Sequence, residues 1–195
     1  KKCEAINAEQ VRALEEKDFR DRLVPYLADA YPDPTDEVTQ VPLVSAASFD
    51  ELSAREQEIL SAAAPLIQTR IQLLRECRDM LGFLFVADDD LTIDDRARTK
   101  LKDSASDVLD AGIRALEGLG VEQWDRDHVE EALRAAIVEG RGMPDGEGIK
   151  PRLAYGPLRV AVTGRQVSPP LFESMEILGA DSTLTRLRAL RARLE

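Results

Sequence analysis

The chain has 195 residues, 37 acidic against 26 basic side chains, a formal net charge of −11 and 44% hydrophobic residues, a balance in the soluble globular range that is long enough for one large or two small domains with a packed core. No apolar run approaches the ~18 residues that a membrane-spanning helix needs, which excludes a helical span. One histidine, His128, with two distant cysteines, Cys3 and Cys77, outside any Cys-x-x-Cys pair, cannot assemble a zinc site and fits a reducing, cytoplasmic compartment.

Residue 1 is Lys, and the opening KKCEAINAEQ lacks the apolar stretch of a secretory signal, so the chain reads as an internal piece of a longer protein. Apolar spacing is helical throughout, and no period-two run of β-branched residues occurs, which predicts an all-α fold. A first helix is expected after Asn7, with Val11 and Leu14 on one face. A second passes through Phe19, Leu23 and Leu27, kinked or delayed by Pro25. Residues 31–42, YPDPTDEVTQVP, carry three prolines and no periodicity and read as a connector.

From Ser48 the spacing predicts a helix through FDELSAREQEILSAAA, with Pro65 either ending it or opening the next at its first turn. The following segment, PLIQTRIQLLRECRDMLGFLF, should place Leu66, Ile67, Leu73, Leu74, Met80 and Leu81 on one broad apolar face. The acidic run Asp88, Asp89 and Asp90 reads as a solvated loop rather than a metal site, and the stretch after Val86 as the boundary between two helical subdomains. Beyond it, Asp103 or Ser104 can cap a helix carrying Val108, Leu109, Ile113 and Leu116, closed by Gly118 or Gly120. Asp125 can cap the next, with Val129, Leu133, Ala136 and Ile137 inward, Gly140 as its stop and His128 as a surface residue. Residues 140–148, with four glycines and a proline, should form a mobile loop.

In the C-terminal block, Gly156-Pro157 is expected to start a helix that Thr163-Gly164 ends. Ser168 should then cap a second helix opened by Pro169 and Pro170 and stopped by Gly179. From Ile149 onward eight basic residues face four acidic ones, so this segment is +4 and the remainder −15. An acidic body with one basic end can steer a polyanion to one surface. Arg159 and Arg165, held by a stiff turn, could bind phosphate or read an unstacked base. Equally, the prolines could merely shape the turn while Arg159 pairs with a nearby acid. The last helix, DSTLTRLRALRARLE, should bury Leu184, Leu187, Leu190 and Leu194, with its four arginines elsewhere.

The opening KKCEAINAEQVR, the segment APLIQTRIQLLRE with DMLGFLF after it, and above all GPLRVAVTGRQVSPPLFESMEILG followed by a leucine-arginine helix resemble the C-terminal half of bacterial glutamyl-tRNA synthetases, over essentially the whole chain. The resemblance implies two helical subdomains forming an anticodon-binding cage: a stem-contacting segment and connector at 1–45, a first anticodon-binding subdomain at 46–90 and a second at 91–195. It implies tRNA(Glu) as partner, tRNA(Gln) as an alternative one, a monomer, a cytoplasmic location and no membrane. Arg159 of GPLR and Ser168, Pro169 and Leu171 of SPPLF fall where the family contacts the anticodon, with Arg165 beside them. Arg70 of APLIQTR matches an arginine that some members use to read the third anticodon base. Many members carry Thr-Pro-Gly where this chain has Ser168-Pro169-Pro170, so any contact needing a backbone N–H at position 170 is lost.

The resemblance also implies what lies elsewhere. The family's HIGH-type and KMSKS-type motifs have no match here, so glutamate activation with ATP and Mg2+ is expected in a catalytic domain joined in cis, and neither a cofactor nor a metal is expected in this chain. An all-α protein-interaction module without nucleic-acid binding is the alternative from the residues alone.

Overall fold

The structure, a computed structural model, describes residues 2–28 and 41–194. Most of the connector expected at 31–42 lies outside the described residues, as does the side chain of Cys3. Among the described residues there are ten α-helices joined by 3-10 turns, and no strand. Two compact units divide at Val86 and Ala87.

The first unit holds α1 (Lys2–Ala13), α2 (Glu16–Leu27), α3 (Ala54–Ile67) and α4 (Cys77–Leu81). The first helix therefore starts before Asn7. In α2, Phe19, Leu23 and Leu27 recur every four residues and are fully buried against α3 and α4, so residues before and after position 45 share one core. Pro25 is accommodated in the last turn of α2. Gln68 at the end of α3 donates to the carbonyls of Val11 and Leu14 at 3.1 and 2.9 Å, satisfying the free end of α1. Arg78 does the same for α2, reaching the carbonyls of Tyr26 and Leu27, and also that of Val41 at 2.7 Å.

Three expectations for this unit are corrected. The helix predicted from Ser48 begins only at Ala54, because Ser53 and Glu56 form a reciprocal capping box, in which Ser53 N donates to Glu56 Oε2 at 2.8 Å, while Phe49–Glu51 is a 3-10 turn. Pro65 neither ends α3 nor starts a new helix; it sits in the last turn, which continues to Ile67. The broad face predicted after it is broken up. Both Arg70 N and Ile71 N bond to the Ile67 carbonyl, Leu73 is extended, and Gln72 N donates to Glu76 Oε2 at 2.9 Å, so the chain turns and restarts. Ile67, Ile71, Cys77, Met80 and Leu81 are buried, and Leu66, Leu73 and Leu74 only half-buried.

The second unit is built on α6 (Ala105–Glu117), which packs against α7 (Arg126–Leu133), α8 (Pro151–Thr163) and α10 (Ala180–Ala192). The short α5 (Asp95–Thr99) precedes it, and α9 (Leu171–Leu178) lies between α8 and α10 in the chain. Leu109 and Leu116 of α6, Leu133, Ile137, Leu158 and Leu187 form the core. Asp125 caps α7, accepting from His128 N at 3.0 Å, and also meets the His128 ring at 2.7 Å; these hydrogen bonds hold its carboxyl below the usual range. A π-turn, Arg134–Val138, extends α7.

Four further expectations change here. The helix expected from Gly156 begins at Pro151, which occupies its first position where a missing N–H costs nothing, and Pro157 lies inside it. The 140–148 loop is tied down rather than loose: Gly142 N donates to Ala136 O at 2.8 Å, and the Arg114 guanidinium to Gly142 O at 2.9 Å. Asp88 is not merely solvated, since Arg186 Nε donates to its Oδ1 at 2.6 Å. Arg186 itself lies on the buried face of α10 with Thr183, Leu187 and Leu190, whereas Leu184 and Leu194 are half-buried.

Candidate nucleic-acid interface

A concavity of about 920 Å³ opens in the second unit beside α8. One wall comes from the end of α5 and the turn after it, including Lys100, Leu101 and Lys102. The other comes from α8, with Arg152, Leu153, Tyr155 and Arg159. Lys100 Nζ bridges the walls, donating to Gln166 Oε1 in the α8–α9 loop at 2.8 Å. On α8, Arg152, Tyr155 and Arg159 stand at i, i+3 and i+7 and so share one face, the two arginines about 10 Å apart along the axis at ~1.5 Å per residue. Tyr155 packs edge-to-face on Phe172, with ring centroids 5.1 Å apart. Burial, reinforced by the charge of Glu130, raises its phenol above the ordinary range.

The electrostatics of this lining differ from those of the rest of the unit. It contains four cations, Lys100, Lys102, Arg152 and Arg159, and no carboxylate. Elsewhere in the unit five arginines are paired with acids: Arg126 with Glu130 and Glu173, Arg134 with Glu131, Arg186 with Asp88, Arg188 with Glu117 and Arg191 with Asp110. Lys102 and Arg152 are exposed and make no ion pair among the described residues. In a chain of net charge −11, an acid-free cationic hollow is a local reversal of sign, and concave walls concentrate such a field.

Arg159 is the best-positioned of these cations. It is half-buried, and its Nη1 donates to Ser168 Oγ at 2.5 Å and to the Pro169 carbonyl at 2.9 Å. Ser168 therefore does not cap α9, whose N-cap is Pro170; its hydroxyl holds Arg159 instead and donates to Pro169 O. The turn that brings these groups together depends on Gly164, which ends α8 with φ +73°. A Cβ there would come within 2.2 Å of the Thr92 carbonyl. Asp94 N in turn donates to Gly164 O at 2.8 Å, and Thr163 Oγ1 donates back to Arg159 O at 2.8 Å.

The residues expected at a site thus separate. Arg159 lines the concavity. Ser168 and Pro169 are buried behind it as its supports, and Leu171 is in the core at the first turn of α9. Arg165 is exposed on the α8–α9 loop. Arg70 belongs to the first unit, exposed in the turn after α3 rather than within a helix. Reading by residue type passed over Lys100, Lys102, Arg152 and Tyr155. The signal for the two lysines is the run RARTKLK, residues 96–102, which has four cations and no acid in an otherwise acidic stretch.

A family model described as an anticodon binding domain matches residues 18–191. The chain belongs to the anticodon-binding domain family. As a member it is 50% identical to the glutamate–tRNA ligase of Kocuria rhizophila over 194 residues, which cover 100% of this chain and 34% of that protein. It is also 50% identical to the glutamate–tRNA ligase of Kineococcus radiotolerans over 193 residues, 99% of this chain and 34% of that one. This anticodon-binding chain therefore spans about a third of the length of the curated relatives it matches. Its fold is that seen in the crystal structure of a glutamate tRNA ligase from Elizabethkingia meningosepticum in complex with its amino acid. The TM-score is 0.62 at 16% identity, covering 98% of this chain and 32% of that one.

Proposed function

We propose that the concavity beside α8 takes unstacked anticodon bases of tRNA(Glu), and that the chain is the tRNA-reading region of a longer, monomeric, cytoplasmic glutamate–tRNA ligase. The observation that carries this reading is the lining of four cations without a carboxylate in a strongly acidic chain. The names of the ligase relatives support it. Single-stranded RNA is recognised by splaying bases into pockets where guanidinium groups and rings meet their edges and faces. Arg159, oriented by Ser168 and Pro169, is placed to donate to a base edge, and Tyr155 and Leu153 offer ring and aliphatic surface for stacking. Leu171 and Arg165 contribute indirectly, through packing under the α9 start and through charge on the loop. In the first unit, residues 1–45 would contact the stem, and Arg70 would read the third anticodon base.

Joining glutamate to tRNA with ATP and Mg2+ would be the work of the longer protein. Among the described residues no three His, Cys, Asp or Glu side chains converge to hold a metal ion, and no residue here is assigned to that chemistry.

The test is the affinity of the chain for transcripts of tRNA(Glu), of tRNA(Gln) and of tRNA(Glu) with exchanged anticodon bases, each at two salt concentrations. Preference for the tRNA(Glu) anticodon, lost in Arg159→Ala, supports the reading. Arg70→Gln should relax discrimination at the third base only. Binding that ignores both salt and anticodon would overturn the reading, because phosphate contacts make affinity fall steeply with salt.

A further inference from the structure

Base-reading by Arg159 leaves most of the concavity unexplained. At about 920 Å³ it lies near the top of the ~300–1,000 Å³ range that encloses a whole drug-sized ligand, far more than one base edge requires. Three of its four cations stand away from the Arg159–Ser168 cluster. Lys102 lies on the facing wall, Lys100 at the bridge to Gln166, and Arg152 two helical turns before Arg159. Between the two arginines, position 156 is glycine, and a Cβ there would meet nothing within 4 Å, so the floor of the hollow is open to close approach.

We infer that Lys100, Lys102 and Arg152 form a phosphate-binding track, so that the concavity holds a run of single-stranded RNA by its backbone while Arg159 reads a base within it. This deepens the anticodon reading and rests on it. Three observations favour phosphates over bases as the partners of these three cations. They are exposed and can sweep a volume, whereas a base-reading group must be held, as Arg159 is. They come from opposite walls, as a strand passing through the hollow would require. No acid in the lining competes for them. Contacts of this kind set register and orientation and carry no sequence information. Lys100 would exchange its uncharged Gln166 partner for a phosphate without leaving a buried charge unpaired.

The experiment measures binding of the 195-residue chain to tRNA(Glu) and to the anticodon-exchanged transcript across a salt series. The proteins compared are wild type, the triple variant Lys100→Gln, Lys102→Gln, Arg152→Gln, and Arg141→Gln as a control cation outside the concavity. Because the three residues are exposed and unburdened by ion pairs, thermal melting should stay unchanged and certify the fold. The track predicts that the triple variant loses affinity equally for both RNAs. It also predicts a log–log salt slope shallower by about 2, at ~0.7 per single-strand phosphate contact, with Arg141→Gln unaltered. An unchanged slope in the triple variant overturns the track while leaving anticodon reading in place. Selective loss on one anticodon overturns it too, by making the three cations base contacts. A wild-type chain that binds neither RNA overturns both readings.

Discussion

Arg186 and Asp88 form an ion pair of the second unit whose cation is interior. Arg186 is 3% exposed, its Nε donates to Asp88 Oδ1 at 2.6 Å, and its Nη1 donates to the carbonyl of Val162 at 2.9 Å. It therefore fastens the first turn of the unit, Asp88–Asp90, to the last turn of α8, one turn beyond Arg159. A buried pair of this kind adds little net stability over an apolar replacement, but removal of one partner strands a charge. Asp88→Ala should therefore cost about 3 kcal/mol. Arg186→Met, which leaves no buried charge, should cost less. Trp124, the single tryptophan and part of this unit, donates its Nε1 proton to Met175 O and makes urea unfolding readable by fluorescence. Equal losses in the two variants would show that packing of the arginine stem, rather than its charge, is what α10 contributes.

Which parts of this architecture were legible beforehand follows from how local their causes are. Asp125 as the cap of α7, Gly164 as the end of α8 and Gly179 as the end of α9 each depend on a few neighbouring atoms, and the residue types announce them. The start of α3 is equally local, but the apolar pattern upstream of the Ser53–Glu56 box points to Ser48 instead. The roles of Asp88, Ser168 and Lys100 could not be read, since their partners lie 98, 9 and 66 residues away and are chosen by packing. The concavity shows the same division. Arg159 is signalled both by the stiff, proline-flanked turn it precedes and by the motif that carries the family resemblance, whereas Lys102 and Arg152 matter only because a turn and a helix come to face each other.

Gly164 and Gly179 test how much of the α8–α9 geometry is backbone strain and how much is contact. Both have positive φ, +73° and +91°. At Gly164 a Cβ would meet the Thr92 carbonyl at 2.2 Å, whereas at Gly179 it would meet nothing within 4 Å. Gly179→Ala should cost the conformational penalty alone, about 1–3 kcal/mol. Gly164→Ala should cost more, because backbone must also move. It should also weaken tRNA binding, since Asp94 and the Arg159 turn are anchored there. Thermal melts of the two variants provide the comparison, and a Gly164→Ala protein at least as stable as Gly179→Ala would refute the assigned contact.

Cys77 offers a pH-dependent probe of the first unit. It is fully buried in α4, and burial pushes its thiol up to about 12 from the ordinary value of 9.0. The folded state thus favours the neutral thiol. Its contribution is complete below pH 9, and is lost as the pH rises from there through 12, because the unfolded chain ionises first. In a Cys3→Ser background, Cys77 should be inert to a disulfide reagent at pH 8 and react only at the rate of unfolding. The first unit should melt progressively earlier above pH 9, and Cys77→Ala should abolish the part of that slope due to the thiol. Rapid labelling at pH 8 would contradict the burial.

The contact between Arg159 and Ser168 can be isolated by a double-mutant cycle on tRNA(Glu) affinity. If Ser168 acts by holding Arg159 in place, Ser168→Ala should weaken binding by roughly three- to tenfold, the worth of one charge-assisted hydrogen bond that orients a donor. Arg159→Ala should lose more, having removed the donor itself. Once Arg159 is gone, Ser168→Ala should cost almost nothing further, giving a coupling close to the whole of the serine effect. The Pro169 carbonyl remains as a second anchor at 2.9 Å, so Ser168→Ala alone should leave partial discrimination between anticodons. Ser168→Thr, which keeps the hydroxyl, should restore affinity. Additive losses instead would mean that the hydroxyl touches RNA in its own right, and that its 2.5 Å bond to the guanidinium is exchanged on binding.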